Sequence, residues 1–557
     1  MPDLTSSLAS SLSSRKWAVW LLLVAVIALF LPAAGMRDWW YPDEPDVALP
    51  AIEMQARGDW VVPTHNDTTW LDYPPLAYWG ARLMGELNGA ITPFGTRLPM
   101  VLFACLLVFA TVRCGWRLLD QRSALLAGVI LIAMPTVWFH ATNLQVDLGY
   151  AAFQAAGLAL YLAGDARSGM PSVGYRIAGF ACFGVAILGK GPLGVLLPGL
   201  ILTCWHAWNR EWRRLLELAP LSLAAVVVAL PWYVLLCQRL GTDVVLNQLY
   251  LQNFDRFGQS NRGHGGKGLF YYFTTLPGDI GLWTALLLPA LWSGFRLRWH
   301  DRGWRLLVLW MLAPLLFFTF ASTKRNVYLL PIYPAVALLI ADWLMRSEVR
   351  WEVSWRTWGA RALAGILLVA GVVLLVAACA WSVLPWLERI PLPAETIAAL
   401  RPAAVVLGLW LVVSCGWNLR EACAGRGSAW LGLAATCAIG YSMAMWLVLP
   451  VIDTALTYRP AAHWLAERVP AGGTVGFFSP GRESNKRPSW LCHMGGGRRL
   501  VFLSTPEAAS AWLAADPSRL LLTEPKRAPP LTGVTTRIEW RISSDYWAVV
   551  AAAGDAQ

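Results

Sequence analysis

Long apolar stretches separated by short polar segments recur along most of the chain. A helix needs about 20 mostly apolar residues to cross the roughly 30 Å hydrocarbon core of a bilayer. By this measure the sequence predicts an all-α polytopic membrane protein with about thirteen transmembrane helices. The predicted spans cover residues 17–35, 97–116, 123–139, 146–164, 174–189, 191–208, 216–236, 270–295, 305–321, 327–345, 362–384, 402–417 and 429–449.

Arginine-rich segments between alternate spans indicate the orientation of the chain. Arg15 and Lys16 precede the first span, and further basic segments cover residues 117–122, 165–169, 209–214, 296–305 and 346–361. Because short basic loops favour the cytoplasmic side, this pattern predicts a cytoplasmic N-terminus. A cleaved signal peptide is the alternative for residues 15–35, but the apolar run is long and its end lacks an A-x-A site.

Three polar regions are long enough to carry function, and alternation of the spans places them outside the cytoplasm. They cover residues 36–96, 238–269 and 451–557. The last region changes composition, and its predicted elements are strands at 474–478, 500–504 and 520–523 and a helix at 506–515. About 100 residues can bury a modest core. The chain therefore divides into a transmembrane domain, residues 1–450, and a small extracytoplasmic α/β domain, residues 451–557.

Composition agrees with a membrane protein and excludes other classes. The 557 residues are 57% hydrophobic and 14% charged, whereas a soluble domain is about 25% charged. The net charge of +11 is spread over short segments between apolar runs, which argues against a nucleic-acid partner and for contact with membrane lipids. Ten cysteines include no C-x-x-C pair, so neither a disulfide framework nor a zinc ribbon is indicated.

Candidate chemistry lies at the extracytoplasmic ends of the spans. Asp43 and Glu44 directly follow the first span, where carboxylates beside a low-dielectric bilayer are candidate bases or cation ligands. Asp147 begins the fourth apolar run and Lys190 ends the fifth. Ionisable residues at the membrane are functional candidates by default, although a lysine can also extend its ammonium to the interface.

Two further features concern anions and metal ions. Lys324 and Arg325 lie side by side between two spans, and two cations at that depth suit a phosphate head group. His264, in the glycine-rich segment NRGHGGKG, could join Asp72 in binding a divalent cation. No paired ligand spacing supports this metal site, and no other cofactor is indicated.

Several short motifs, in this order, resemble a known family. They are PDE and GDW in the first loop, PPLAYW, VD at the fourth span, GKGPL, and STKRNVYLLPIYP. Together they resemble the polyprenyl-phosphate-dependent glycosyltransferases of the GT-C superfamily, within the bacterial aminoarabinose transferase-like and protein mannosyltransferase-like group. The resemblance covers most of residues 17–345, and the position of the tail also fits.

The resemblance implies a GT-C fold with amphipathic helices in the first loop, in the bacterial cytoplasmic (inner) membrane. It implies an inverting transfer of a sugar from a polyprenyl-phosphate donor to an extracytoplasmic lipid or glycan acceptor. Asp43 falls on the family's catalytic aspartate and Asp147 on its second acidic residue. Lys324 and Tyr328 match the segment that borders the donor site.

Two departures from the family pattern leave the sugar and the acceptor open. Tyr73 stands where the aminoarabinose branch usually has a lysine, and Asp46 replaces an arginine. Glu44 and Tyr73 remain candidate substrate-binding residues, and the acceptor can be lipid A, a protein or a polysaccharide. A transporter for lipid-linked sugars is the alternative from another class, but related halves with interrupted helices are not evident.

Overall fold

The structure is a computed structural model in which helices dominate. It describes residues 3–40, 42–166, 169–252, 267–346, 350–381, 393–426, 428–479, 488–525, 528–542 and 545–553. The helices of the membrane domain are α1 Asp3–Gly35, α2 Asp43–Ala56, α3 Leu76–Asn88, α4 Pro93–Leu118, α5 Gln121–Ile132, α6 Pro135–Ala141, α7 Asp147–Asp165, α8 Gly169–Lys190, α9 Leu193–Trp208, α10 Trp212–Leu240, α11 Thr242–Tyr250, α12 Tyr271–Ile280, α13 Thr284–Leu297, α14 Arg302–Thr319, α15 Tyr333–Met345, α16 Arg350–Cys379, α17 Ala394–Ala399, α18 Arg401–Cys423 and α19 Ser428–Leu456.

The described helices account for the predicted spans. Among the described residues, ten helical segments are long and apolar enough to cross a membrane, and α5 with α6, which are bent by 67° relative to each other, would make an eleventh if the pair is one span. Pro135 begins α6, where a proline cannot donate the backbone hydrogen bond that would continue α5. The two shorter helices α7 and α9, of 19 and 16 residues, correspond to the remaining predicted spans. The predicted fold class is confirmed.

The first loop is folded rather than extended. It contains α2 and α3, joined by a hairpin of β1, Thr64–His65, and β2, Thr68–Thr69. Asn66 and Asp67 form the turn with φ of 54° and 60°, a left-handed conformation that Asn and Asp tolerate better than most residues. The two helices that the resemblance implies for this loop are present.

The tail forms a small α/β domain around a five-stranded sheet with the strand order β4-β3-β5-β7-β6. Its elements are α20 Arg459–Arg468, β3 Thr474–Phe478, α21 Pro488–Met494, β4 Arg499–Leu503, α22 Pro506–Ala514, β5 Leu521–Thr523, β6 Val534–Ile542 and β7 Asp545–Ala552. Strand β3 pairs in parallel with β4 and β5, whereas β7 runs antiparallel to β5 and β6. The three predicted strands and the predicted helix are present, and β6 and β7 were missed.

The tail domain packs directly on the first loop. The side chain of Asn66 donates to the backbone carbonyl of Leu500 at 2.9 Å and accepts from its amide at 3.1 Å. Asp38 is buried, accepts from the hydroxyl of Thr457 at 2.5 Å and lies 3.2 Å from Nε2 of His493. Because these contacts join the loop to three separate segments in the first half of the tail, the loop is held between the membrane helices and the α/β domain.

Candidate active site

Asp43 is the first residue of α2, and its carboxylate stays accessible. Its side chain is 37% exposed. Nη2 of Arg325 donates to its two oxygens at 3.2 Å and 3.0 Å, and Nε2 of Gln145 donates at 3.2 Å. Carboxylates are stabilised at a helix N-terminus. The fold therefore fixes the direction of this carboxylate without burying it.

Glu44, the next residue, is instead buried, with a side chain that is 2% exposed. Its oxygens accept hydrogen bonds from Nε and Nη2 of Arg97 at 2.8 Å each and from Arg37. They also accept from the backbone amide of Leu144 at 2.8 Å. Burial alone would raise the pKa of Glu44, but Arg37 and Arg97 hold it at about 2. Two arginines and a backbone amide therefore hold the Glu44 carboxylate at the start of α2, where almost none of it is exposed.

Asp147 and Lys190 form an ion pair. Asp147 is the first residue of α7 and Lys190 is the last residue of α8, so two neighbouring helices deliver the charges to one place. The ammonium of Lys190 also lies 4.3 Å from the ring centroid of Tyr328. Three residues proposed from different segments of the sequence are thus adjacent.

Lys324 and Arg325 point to different partners although they are neighbours in sequence. Nζ of Lys324 is buried and donates to the backbone carbonyls of Ala321 at 2.6 Å and Lys267 at 3.3 Å. The hydrogen bonding is reciprocal, since the ammonium of Lys267 donates to the backbone carbonyl of Lys324 at 2.9 Å. Arg325 extends to Asp43, whose carboxylate raises the pKa of this guanidinium despite the opposing effect of burial. Only Arg325 therefore presents its charge beside the acidic loop.

A cavity of about 420 Å³ opens beside these residues. Its polar wall contains Asp72, Tyr73, Lys190, Thr323 and Tyr328. Its apolar wall contains Leu193, Leu196, Trp232, Leu236, Phe317 and Phe318. A cavity whose lining is mostly apolar but includes a few polar and charged side chains suits a lipid that carries a phosphate.

Of the two candidate metal residues, the structure describes Asp72. Asp72 lines the cavity and accepts from Nε2 of Gln252 at 2.8 Å. His264 lies outside the described residues. Within the part of the chain that the structure describes, no three His, Cys, Asp or Glu side chains are grouped so as to hold a metal ion.

Sequence reasoning missed several residues that support this site. Gln145 contacts Asp43, and His140 interacts electrostatically with Asp43, Asp147 and Lys190. Among the described residues, the buried Nδ1 of His140 has no hydrogen-bond partner. A signal for this region was available, because the polar residues Thr142, Asn143 and Gln145 interrupt an apolar region just before Asp147.

Comparison with known proteins gives consistent results at the level of sequence. A family model described as dolichyl-phosphate-mannose-protein mannosyltransferase matches residues 16–242. The chain is 31% identical over 344 residues to the undecaprenyl phosphate-alpha-4-amino-4-deoxy-L-arabinose arabinosyl transferase of Edwardsiella ictaluri, and the match covers 60% of each chain. A protein of the same description from Erwinia tasmaniensis is 29% identical over 438 residues, with 76% of this chain and 75% of that chain covered. The chain thus spans about 60% of the length of the first of these relatives.

Solved structures share the fold over nearly the whole chain. The crystal structure of ArnT from Cupriavidus metallidurans bound to undecaprenyl phosphate matches with a TM-score of 0.77 and 22% identity, covering 97% of this chain and 99% of that chain. The oligosaccharyltransferase of Archaeoglobus fulgidus in the apo form matches with a TM-score of 0.53 and 11% identity, covering 92% and 69%.

The helical bundle, the folded first loop and the amphipathic cavity together define a multi-pass membrane protein of the GT-C fold. Sequence similarity indicates which proteins of this fold the chain resembles. Residues 16–242 are similar to the dolichyl-phosphate-mannose-protein mannosyltransferase family model, and the chain is similar in sequence to the undecaprenyl phosphate-alpha-4-amino-4-deoxy-L-arabinose arabinosyl transferases.

Proposed function

We propose that the protein is an inverting glycosyltransferase that moves a sugar from a polyprenyl-phosphate carrier to lipid A. Its active face is the extracytoplasmic side of a bacterial inner membrane. The observation that carries this proposal is the contact of Asp43 with Arg325 beside a cavity lined by Lys190 and Tyr328. A candidate base, phosphate-binding cations and space for a lipid are thereby brought together. The relatives named as arabinosyl transferases support the donor class.

The chemistry requires few protein groups. An acceptor oxygen attacks the anomeric carbon, the bond from that carbon to the phosphate oxygen breaks, and polyprenyl phosphate leaves. A phosphate is already a good leaving group, so cations that stabilise its charge can replace a strong general acid. Asp43 orients the acceptor and takes its proton, and attack opposite the leaving phosphate inverts the configuration.

Arg325 has a double role in this proposal. Without a substrate it is paired with Asp43. Guanidinium groups bind phosphate in a bidentate manner, so an arriving donor phosphate competes with the carboxylate for the same hydrogen-bond donors. Donor binding would therefore turn Arg325 towards the phosphate and release Asp43 for the acceptor. Lys190, paired with Asp147, supplies a second cation at the cavity wall.

A hydroxyl of a protein or polysaccharide is the second candidate acceptor. Asp46 and Tyr73 stand where the aminoarabinose branch carries cations, and Asp46 instead lies 3.6 Å from Nε2 of His65. With fewer cations at these two positions than the aminoarabinose branch carries, an acceptor without a phosphate is favoured. This difference concerns the acceptor and not the class of reaction.

The test uses the purified full-length protein with an undecaprenyl-phosphate-linked aminosugar and either lipid A, a hydroxyl-bearing polysaccharide or a protein acceptor. Mass spectrometry should detect loss of the donor and a matching mass increase of lipid A. A mass increase only on a hydroxyl acceptor would replace the first proposal by the second. Movement of intact donor across a vesicle membrane, with no bond cleavage, would overturn both and favour a transporter.

A further inference from the structure

A second cavity, of about 780 Å³, opens at the far ends of the helices that line the first. Helix α9 starts at Leu193 in the active-site cavity and ends beside this second cavity. Helices α10 and α14 start in the second cavity, at Trp212 and Arg302, and reach the first at Trp232 and Phe318. Since the 18 residues of α14 span about 27 Å, the two cavities lie at opposite faces of the membrane.

Arginines dominate the second cavity, which we call the basic pocket. It is lined by Asp165, Arg210, Glu211, Trp212, Arg213, Arg214 and Arg302. Arg302 already neutralises both carboxylates, because its Nε lies 2.7 Å from Oε1 of Glu211 and its Nη1 lies 2.6 Å from Oδ2 of Asp165. Arg214 pairs with Glu217 at 3.1 Å. The acidic groups of the pocket therefore have cationic partners without the other two arginines.

Arg210 and Arg213 provide positive charge that is not balanced locally. Both are exposed, and neither forms an ion pair with a carboxylate within the described ranges of the chain. Arg210 adopts φ of 58° in the turn between α9 and α10, a conformation that is uncommon for a residue other than glycine. Arg210 in this turn and Arg213 in the first turn of α10 both line one open cavity, and guanidinium groups bind phosphate strongly.

Apolar residues beside the pocket indicate that its ligand lies in the membrane. Trp212 is 61% exposed, and Leu216, one helical turn further along, is 75% exposed. Tryptophan is enriched at the membrane interface, and the basic loops place this face in the cytoplasm. The anionic lipids of the cytoplasmic leaflet attract such basic groups. We propose that the basic pocket binds the phosphate of an anionic phospholipid head group, held by Arg210 and Arg213.

The test compares matched double variants of the full-length protein in detergent. Binding of dioleoylphosphatidylglycerol is measured by native mass spectrometry for Arg210→Gln/Arg213→Gln and for Arg122→Gln/Arg296→Gln. Arg122 and Arg296 are exposed arginines on other predicted cytoplasmic segments, so the control removes the same charge from the same face. At about 1 kcal/mol for each basic group, the pocket variant should bind the lipid about 10- to 30-fold more weakly. The control should change less than about twofold.

Two results would overturn the proposal. An equal loss in both double variants would mean that charge over the whole cytoplasmic face attracts the lipid, without a specific pocket. Inorganic phosphate that binds the wild type at the same two arginines as tightly as the lipid would mean a soluble ligand. Thermal unfolding of both variants is measured in parallel, so that a lost pocket is distinguished from a lost fold.

Discussion

Nη2 of Arg325 lies 3.0 Å from Oδ2 of Asp43, although 282 residues separate the two in sequence. Asp43 begins α2 in the first loop, and Arg325 precedes the 3₁₀ segment Asn326–Ile332 that leads into α15. A residue of the proposed acceptor side and a residue of the proposed donor side therefore share one contact. Substitution of either residue should affect the function of the other.

Loss of the Asp43 carboxylate should stop transfer without unfolding the protein. Asp43→Asn keeps the shape but removes the charge, so the transfer rate should fall about 10²–10⁴-fold, the usual range for a positioned base. The control is Asp46→Asn, because Asp46 lies on the same helix and its side chain is equally exposed at 37%. Equal losses in both variants would mean that the loop acts through its summed charge.

Lys324 and Arg325 should differ in their effects on the donor. Arg325→Gln should raise the donor KM about 10- to 100-fold, because a charge-assisted hydrogen bond contributes roughly 1.5–3 kcal/mol. Lys324→Gln should mainly lower the thermal stability, since its ammonium bonds to the backbone carbonyls of Ala321 and Lys267. Steady-state kinetics and unfolding curves together separate the two effects. A donor KM that rises in Lys324→Gln but not in Arg325→Gln would mean that Lys324, and not Arg325, binds the donor.

Glu44→Gln should destabilise the protein, because it leaves Arg37 and Arg97 buried with too little negative charge. Removing one partner of a buried pair costs about 3–5 kcal/mol in the free energy of unfolding. Glu467→Gln is the matched control, since Glu467 also pairs with an arginine, Arg468, but both side chains are exposed, which limits its expected cost to about 0–1 kcal/mol. Similar unfolding midpoints for the two variants would contradict the buried role of Glu44.

The contact of the tail with the loop should depend on pH through Asp38. Burial would raise the pKa of Asp38, but hydrogen bonding and charge at His493 help to hold it at about 2. An unfolded aspartate has a pKa of about 3.9, so this carboxylate stabilises the fold above about pH 4, by about 2–3 kcal/mol. Its contribution is lost as the pH falls from about 4 towards 2. Unfolding midpoints of wild type and Asp38→Asn should therefore converge over that range, and a constant difference would exclude this linkage.

The orientation of the chain can be tested at its C-terminal end. Alternation of the spans predicts that residues 451–557 lie outside the cytoplasm. A reporter that fluoresces only in the cytoplasm, fused after Gln557, should give no signal, whereas the same reporter inserted in the segment 296–305 should fluoresce. Bright fluorescence from the C-terminal fusion would place the Asp43 cavity on the cytoplasmic face.

Much of the fold follows from local features of the sequence. Hydropathy identified the spans because each one must bury a continuous apolar length in lipid, which is a local requirement. The end of the last span was less clear, since α19 continues to Leu456 and carries the buried polar contacts of Asp453 with the loop. Strands β6 and β7 were missed because the polar alternation of one and the alanine-rich end of the other give weak signals.

The sequence predicted individual candidate residues of the site but not their arrangement in space. Asp147 and Lys190 were each singled out for their charge at a helix end, and their roles remain predictions. Their ion pair could not be read from the sequence, because it depends on how α7 and α8 pack. The different roles of Glu44 and Asp43 also depend on packing, since only the fold brings two arginines to one of two adjacent carboxylates.

The docking of the tail on the first loop has a consequence for protein synthesis. The backbone amide of Asp38 donates to Asp453 at 3.0 Å, across 415 residues of sequence. At about 5–20 residues per second, the ribosome needs roughly 20–80 s to synthesise that interval. The loop that carries Asp43 therefore leaves the ribosome well before Asp453, which it contacts, has been synthesised. A nascent chain would have its first membrane helices in place before residue Asp453 is available to complete this contact with the loop.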